Sequence, residues 1–327
     1  MGHNQGRSKL LANLALAIAS LLVVLVAAEL ALRFVLLRNL NPFQRDATIG
    51  YRLKPSFDGV YPRARVRTDA NGYRVPTDQE VDSTGRYLFV GDSVTFGFSV
   101  RAEEAFPFLV GERLGDPLAV TNAGVPGYNL EQALALLRES LQRSDPDFVV
   151  YGLVVNDVGS AAGMMRYEDI DPHAARSGRG GLFARSMLVA FVERRWRRLV
   201  SRFDVPEPEQ SSANVVRDYG ETFELAARRA FDRQWADLEA LQRASDVDMY
   251  VLICPFSYQV HEDQELNALQ EFLQSRCEGS ELTCLDPLEI FRQHSEEALF
   301  TPGSSYHFSR RGHALLADWL YARLTDQ

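Results

Sequence analysis

The chain has 327 residues, 46% of them hydrophobic and 24% charged, and its 35 Lys+Arg against 44 Asp+Glu give a formal charge of −9. This composition excludes a disordered chain and supplies the core of one large domain or two small ones, while the negative balance argues against a nucleic-acid partner. Three cysteines are too few for a disulfide scaffold and lack the paired spacing of a zinc site, so no metal is expected.

Residues 1–9 form a short tail. From Leu10 to Ala28 there is no charge across nineteen residues, and at about 1.5 Å per residue this run nearly spans a hydrocarbon core. Helical character continues to Leu37, with Glu29 and Arg33 at i,i+4, which defines a transmembrane anchor over 10–37. Val26-Ala27-Ala28 would suit signal cleavage, but the apolar core exceeds the roughly 7–15 residues of a signal peptide, which favours an uncleaved anchor. Arg7 and Lys9 precede the span, whereas Arg33, Arg38, Arg45, Arg52 and Lys54 follow it, against a simple positive-inside count. Large C-terminal domains translocate largely regardless of charge. The expected topology therefore has the N-terminus in the cytoplasm and the domain outside, in the periplasm of a Gram-negative cell.

Residues 38–84 read as a basic membrane-proximal linker carrying Arg45, Arg52, Lys54, Arg63, Arg65, Arg67 and Arg74, with a short hairpin around Asp69-Ala-Asn71-Gly72. From residue 85 to 327, short apolar runs alternate with helical patterns. Strands are expected at Tyr87–Gly91, Leu118–Asn122, Phe148–Val155, Met249–Cys254 and Leu282–Leu285, and helices near 106–114, 130–142, 223–245, 263–275 and 311–324. The predicted fold is a flavodoxin-like three-layer α/β/α sandwich of about five parallel strands, with ligands at the strands' carboxyl ends. A helical insertion at about 158–222 breaks the rhythm. Within it Arg185, Arg194, Arg195, Arg197, Arg198 and Arg202 against Glu193 make 182–203 a basic amphipathic segment. It suits a membrane surface, a lid, an acidic polymer or a plain solvated face.

The chemistry gathers at the expected carboxyl edge. Strand one runs into Gly91-Asp92-Ser93, strand two into Asn122-Ala-Gly124-Val-Pro-Gly127, and strand three into Asn156-Asp157. Ser304-Ser305-Tyr306-His307 precedes the last helix. These loops offer a hydroxyl, a bare backbone N–H, a side-chain amide and a base, which is the set that acyl transfer with an oxyanion hole requires.

In these four blocks and their order the sequence resembles the SGNH/GDSL hydrolases, a family of serine esterases, lipases and carbohydrate deacetylases, from about Arg86 to Leu324. The resemblance implies Ser93 as nucleophile and His307 as general base, with Ser93 N–H, Gly127 N–H and the Asn156 side chain as the oxyanion hole. Asp92 and Gly124 support the loops. The chain departs from the family at Ser304, where an orienting aspartate usually stands; Ser304 is the candidate orienter of the base. Asp286 is the first other acid to consider, although it suits a local backbone cap better, and His313 reads as structural. Phe96, Phe98, Tyr128 and Tyr151 read as core or as an acyl pocket. Cys277 and Cys284 could close a short loop in an oxidising compartment, while Cys254 reads as a buried thiol.

The expected function is a membrane-anchored, extracytoplasmic serine esterase acting, without cofactor, on a short acyl group such as acetate carried by a cell-envelope or exported glycan. Alternatives are an O-acyltransferase working with polysaccharide-assembly proteins, and a non-catalytic glycan-binding or scaffold protein.

Overall fold

The computed structural model describes residues 2–39, 41–61, 64–76, 85–154, 157, 166–170, 186, 188–189, 225–261 and 268–325. The chain divides into two compact units, Met1–Asn41 with Asp171–Pro206, and Pro42–Ile170 with Glu207–Gln327.

The first unit contains helix α1 (Gly2–Asn39). Its stretch Leu11–Leu32 has a mean hydropathy of 2.6 and buries none of its most apolar window, so it is long and apolar enough to cross a membrane; a signal sequence meets the same test. Near the end of that stretch, Glu29 accepts hydrogen bonds from the Ser186 hydroxyl (2.8 Å) and the Leu188 N–H (2.9 Å). The remainder of the basic 182–203 segment, and all of the 158–222 insertion apart from Arg166–Ile170, Ser186, Leu188 and Val189, lie outside the described residues.

In the second unit five parallel strands, β6 (Tyr87–Gly91), β7 (Val120–Gly124), β8 (Phe148–Leu153), β9 (Asp248–Ile253) and β10 (Thr283–Leu285), stand in the order β10-β9-β8-β6-β7. Each of the first three is buried along almost its whole length, as strands covered on both faces must be; β6 and β8 are predominantly apolar, while β7 buries Thr121 and Asn122 as well. The chain steps from β6 to β7 in one direction and from β7 over β6 to β8 in the other. Right-handed crossovers then place α3 (Phe106–Arg113) on one face and α4 (Leu130–Leu141) on the other. Helix α5 (Leu225–Ala244) packs with α4, and the last helix, α6 (Arg310–Thr325), packs with α3. This is the flavodoxin-like order, and β6 and β8 flank its switch point. Strand β7 starts two residues later than its apolar run suggests, because Asp116 caps a 3-10 turn over Pro117–Ala119.

The expected linker over 38–84 requires a correction. Strands β3 (Asp58–Tyr61), β4 (Ala64–Thr68) and β5 (Arg74–Val75) extend the sheet antiparallel beyond β7, with Arg74 opposite Asn122. Strands β1 (Phe43–Asp46) and β2 (Gly50–Leu53) form a separate hairpin. Arg65 and Arg67, part of what gives the segment its basic look, occupy alternate positions of one strand. In β4, Ala64, Val66 and Thr68 are buried while Arg65 and Arg67 face outward, the two-residue period of a half-buried strand. The turn around Asp69 is present: its carboxylate accepts from the Asn71 and Tyr73 N–H groups, and Gly72 takes a left-handed φ of 87°. Cys277 and Cys284 are joined by a disulfide with 5.9 Å between their Cα atoms, and Cys254 is a buried free thiol.

Candidate active site

Ser93 opens a four-residue helix, α2 (Ser93–Phe96), at the carboxyl end of β6. Asp92 caps it, its carboxylate accepting from Val94 N–H at 2.8 Å, with one carboxylate oxygen 3.3 Å from Ser93 Oγ. Gly124 ends β7 in register with Gly91, and a Cβ there would stand 2.3 Å from the backbone nitrogen of Phe96. Only glycine lets β7 lie against the serine's helix so closely. Gly127 follows in a turn with a left-handed φ of 85°.

An imidazole arrives from a distant part of the sequence. His307 Nε2 lies 2.9 Å from Ser93 Oγ, and its Nδ1 lies 2.9 Å from Ser304 Oγ. The same Ser304 oxygen accepts from the backbone N–H of His307 at 3.1 Å. A neutral ring that takes the Ser93 proton must carry its own proton on Nδ1, and Ser304 Oγ has the second lone pair to accept it. Burial lowers the pKa of His307 to about 4. Phe98 stacks on the imidazole at 4.3 Å between centroids with 20° between planes, and Tyr61 meets Phe98 edge-on at 5.8 Å.

Other predicted residues take supporting places. Asp157 is buried, and its carboxylate accepts from the Tyr151 hydroxyl (2.8 Å) and the Val154 N–H (2.9 Å); burial and the neighbouring Asp92 charge push its pKa well up. Asn156 lies outside the described residues. Asp286 accepts from Leu288 N–H and from the Gln270 and Gln274 amides, a local cap. His313 is buried, accepts from Phe106 N–H at 3.3 Å, and has its pKa lowered to about 3 by burial. Phe96, Tyr128 and Tyr151 are core, whereas Phe98 is half-buried against the base.

Sequence reasoning missed two residues of the extension. Arg74 of β5 is fully buried, and its guanidinium donates to the carbonyls of Phe96, Gly97 (2.7 Å) and Val100 (2.7 Å) while lying 4.3 Å over the Phe96 ring. It therefore closes the C-terminal end of the serine's helix and fixes the loop that carries Phe98. Burial draws its pKa down to about 9, against the opposing pull of Glu103 and Glu104. Tyr51 of β2, also fully buried, donates to the Pro126 carbonyl at 2.8 Å, and Tyr128 donates back to the Tyr51 carbonyl. The one available signal was a charged residue set between apolar ones in Tyr73-Arg74-Val75.

A parallel sheet with a serine at its switch point, hydrogen-bonded to a histidine from the last loop, defines a serine hydrolase. Residues 89–315, well over half of the chain, match the GDSL-like lipase/acylhydrolase family, and the chain belongs to that family as an ester-hydrolysing enzyme. Among curated proteins nothing matches. Among solved structures it is similar to an acetylxylan esterase from Geobacillus stearothermophilus (17% identity, TM-score 0.43, covering 76% of this chain and 97% of that one). It is also similar to a member of the lipolytic G-D-S-L family from Veillonella parvula (12% identity, TM-score 0.41, 73% and 96%) and to an alpha/beta hydrolase from the metagenome of Lake Arreo (13% identity, TM-score 0.43, 73% and 94%).

Proposed function

We propose that this enzyme is a membrane-anchored extracytoplasmic esterase that removes a short acyl group, such as acetate, from a cell-envelope or exported glycan. The hydrogen-bonded line from Ser93 through His307 to Ser304 carries this reading. Ser93 Oγ attacks the ester carbonyl as its proton passes to His307 Nε2, and Ser304 accepts from the Nδ1–H of the resulting imidazolium. The N–H groups of Ser93 and Gly127 and the Asn156 amide receive the oxyanion. Collapse of the tetrahedral adduct expels the alcohol, which takes the proton from His307. Water, activated by the same ring, then attacks the acyl-serine carbonyl and releases the acid. The apolar length of α1 supports anchoring, and a disulfide between Cys277 and Cys284 suits an oxidising compartment outside the cytoplasm.

Release of p-nitrophenol from p-nitrophenyl acetate by the full-length protein in detergent tests the reading. Ser93→Ala is expected to lower turnover by at least roughly 10³-fold, while Ser304→Asp preserves or raises it. A burst without turnover would instead favour transfer of the acyl group to a sugar hydroxyl. A folded protein with neither burst nor turnover would overturn the enzymatic mechanism.

A further inference from the structure

The loop between β7 and α4 is held from outside the β/α core. Tyr51 donates to Pro126 O at 2.8 Å, the Gln132 side chain donates to Ile49 O at 2.8 Å, and Tyr128 donates to Tyr51 O. The Tyr51 ring is itself fixed edge-on by Phe43 at 5.5 Å and by Tyr128 at 5.2 Å. None of these contacts touches Ser93 or His307.

Their consequence lies in the geometry of one peptide. The carbonyl of Pro126 and the N–H of Gly127 belong to the same planar unit, and no peptide bond among the described residues is cis. In a trans peptide the two groups point in opposite directions. A hydroxyl that pins the carbonyl on one edge therefore sets the direction of the N–H on the other. It also draws electron density toward the oxygen, which makes that N–H a stronger donor. Gly127 has the left-handed φ of 85° that leaves this peptide free to rotate if nothing holds its oxygen.

We infer that Tyr51 is a positioning residue for acyl transfer, acting through the Pro126–Gly127 peptide to aim and polarise one oxyanion donor. The inference rests on the reading of Gly127 as part of the oxyanion hole. It makes the β1–β2 hairpin, which lies before the family-matched region, part of the catalytic apparatus.

Tyr51→Phe removes the hydroxyl and keeps the ring. With the full-length enzyme and p-nitrophenyl acetate, kcat is expected to fall roughly tenfold, a fraction of the 10²–10³ that loss of an oxyanion donor costs. KM stays within about twofold, because the oxyanion exists only in the transition state. The inhibition constant of an aryl trifluoromethyl ketone, which forms a tetrahedral adduct on Ser93, should rise by the same factor as kcat falls. Tyr73→Phe removes another buried hydroxyl of the same extension, one that bonds the Ser140 hydroxyl at 2.8 Å, and is expected to lower the melting temperature without altering kcat or ketone affinity. A Tyr51→Phe enzyme with unchanged kcat and unchanged ketone affinity would overturn the proposal. So would a Tyr73→Phe enzyme with the same losses, since the effect would then be structural. If wild type binds the ketone but turns over no ester, the esterase reading fails while ketone affinity still decides Tyr51. Failure of both ketone binding and turnover removes both.

Discussion

A hydroxyl at residue 304, in place of a carboxylate, changes how the base responds to pH. Among the described residues no anion holds the imidazolium, and burial opposes it, which lowers the His307 pKa to about 4. In the proposed mechanism His307 works only when neutral, so the acid limb of kcat/KM is expected near pH 4, with a flat profile from about pH 5 upward. Ser304→Asp places a negative charge against Nδ1 and favours the charged ring, which moves the limb upward toward or beyond the ordinary histidine value. Measured profiles of the two enzymes decide this. A wild-type limb already at about 6.5 would show that the ring is wetter than its packing against Phe98 implies. At this scale Ser93, His307 and Ser304 were legible because each sits in a short motif beside a strand or helix end. Tyr51 was not. Its partner is 75 residues away, and a tyrosine in a polar stretch carries no mark of the carbonyl it will meet.

A helix of four residues cannot hold itself, because it forms too few internal bonds to offset its nucleation cost. Helix α2 persists because Asp92 satisfies the Val94 N–H in its first turn and Arg74 the carbonyls at its end. Arg74→Lys replaces a planar fork by a single ammonium that cannot reach all three oxygens. It is expected to lower stability by roughly 1–3 kcal/mol and reduce kcat through the Phe98 loop. Urea unfolding midpoints alongside turnover check this, and a fall in stability with unaltered kcat would confine Arg74 to the fold. The five parallel strands were legible as short, mainly apolar runs alternating with helical patterns. The extension was not, because β3 to β5 are short, lie at an edge and, in β4, place arginines at alternate positions, so their sequence reads as charge before it reads as period.

Two boundaries of the same molecule disagree. Family similarity begins at residue 89, whereas the hydrogen-bonded unit begins at Pro42. Arg52 pairs with Glu139 at 3.1 Å and β5 covers the edge of β7, so the extension and the core share one set of buried contacts. A chain starting at residue 42 is therefore expected to bind the trifluoromethyl ketone as the full protein does. One starting at residue 85, with the Phe96, Gly97, Val100 and Pro126 carbonyls stripped of the Arg74 and Tyr51 side-chain donors, should bind it at least tenfold more weakly. Equal affinity would make the extension dispensable to the site.

The separation of Ser93 from His307 by 214 residues also has a meaning in time. At roughly 5–20 residues per second, a growing chain exposes the serine about 10–40 s before its base exists. The core residues that Tyr51, Arg52, Tyr73 and Arg74 meet, from Phe96 to Ser140, are made within that interval. The hydroxyl, its helix and the loop beside it are thus in hand early, yet without the imidazole the hydroxyl stays an ordinary alcohol. An enzyme of this build is chemically silent until its last loop and helix are synthesised.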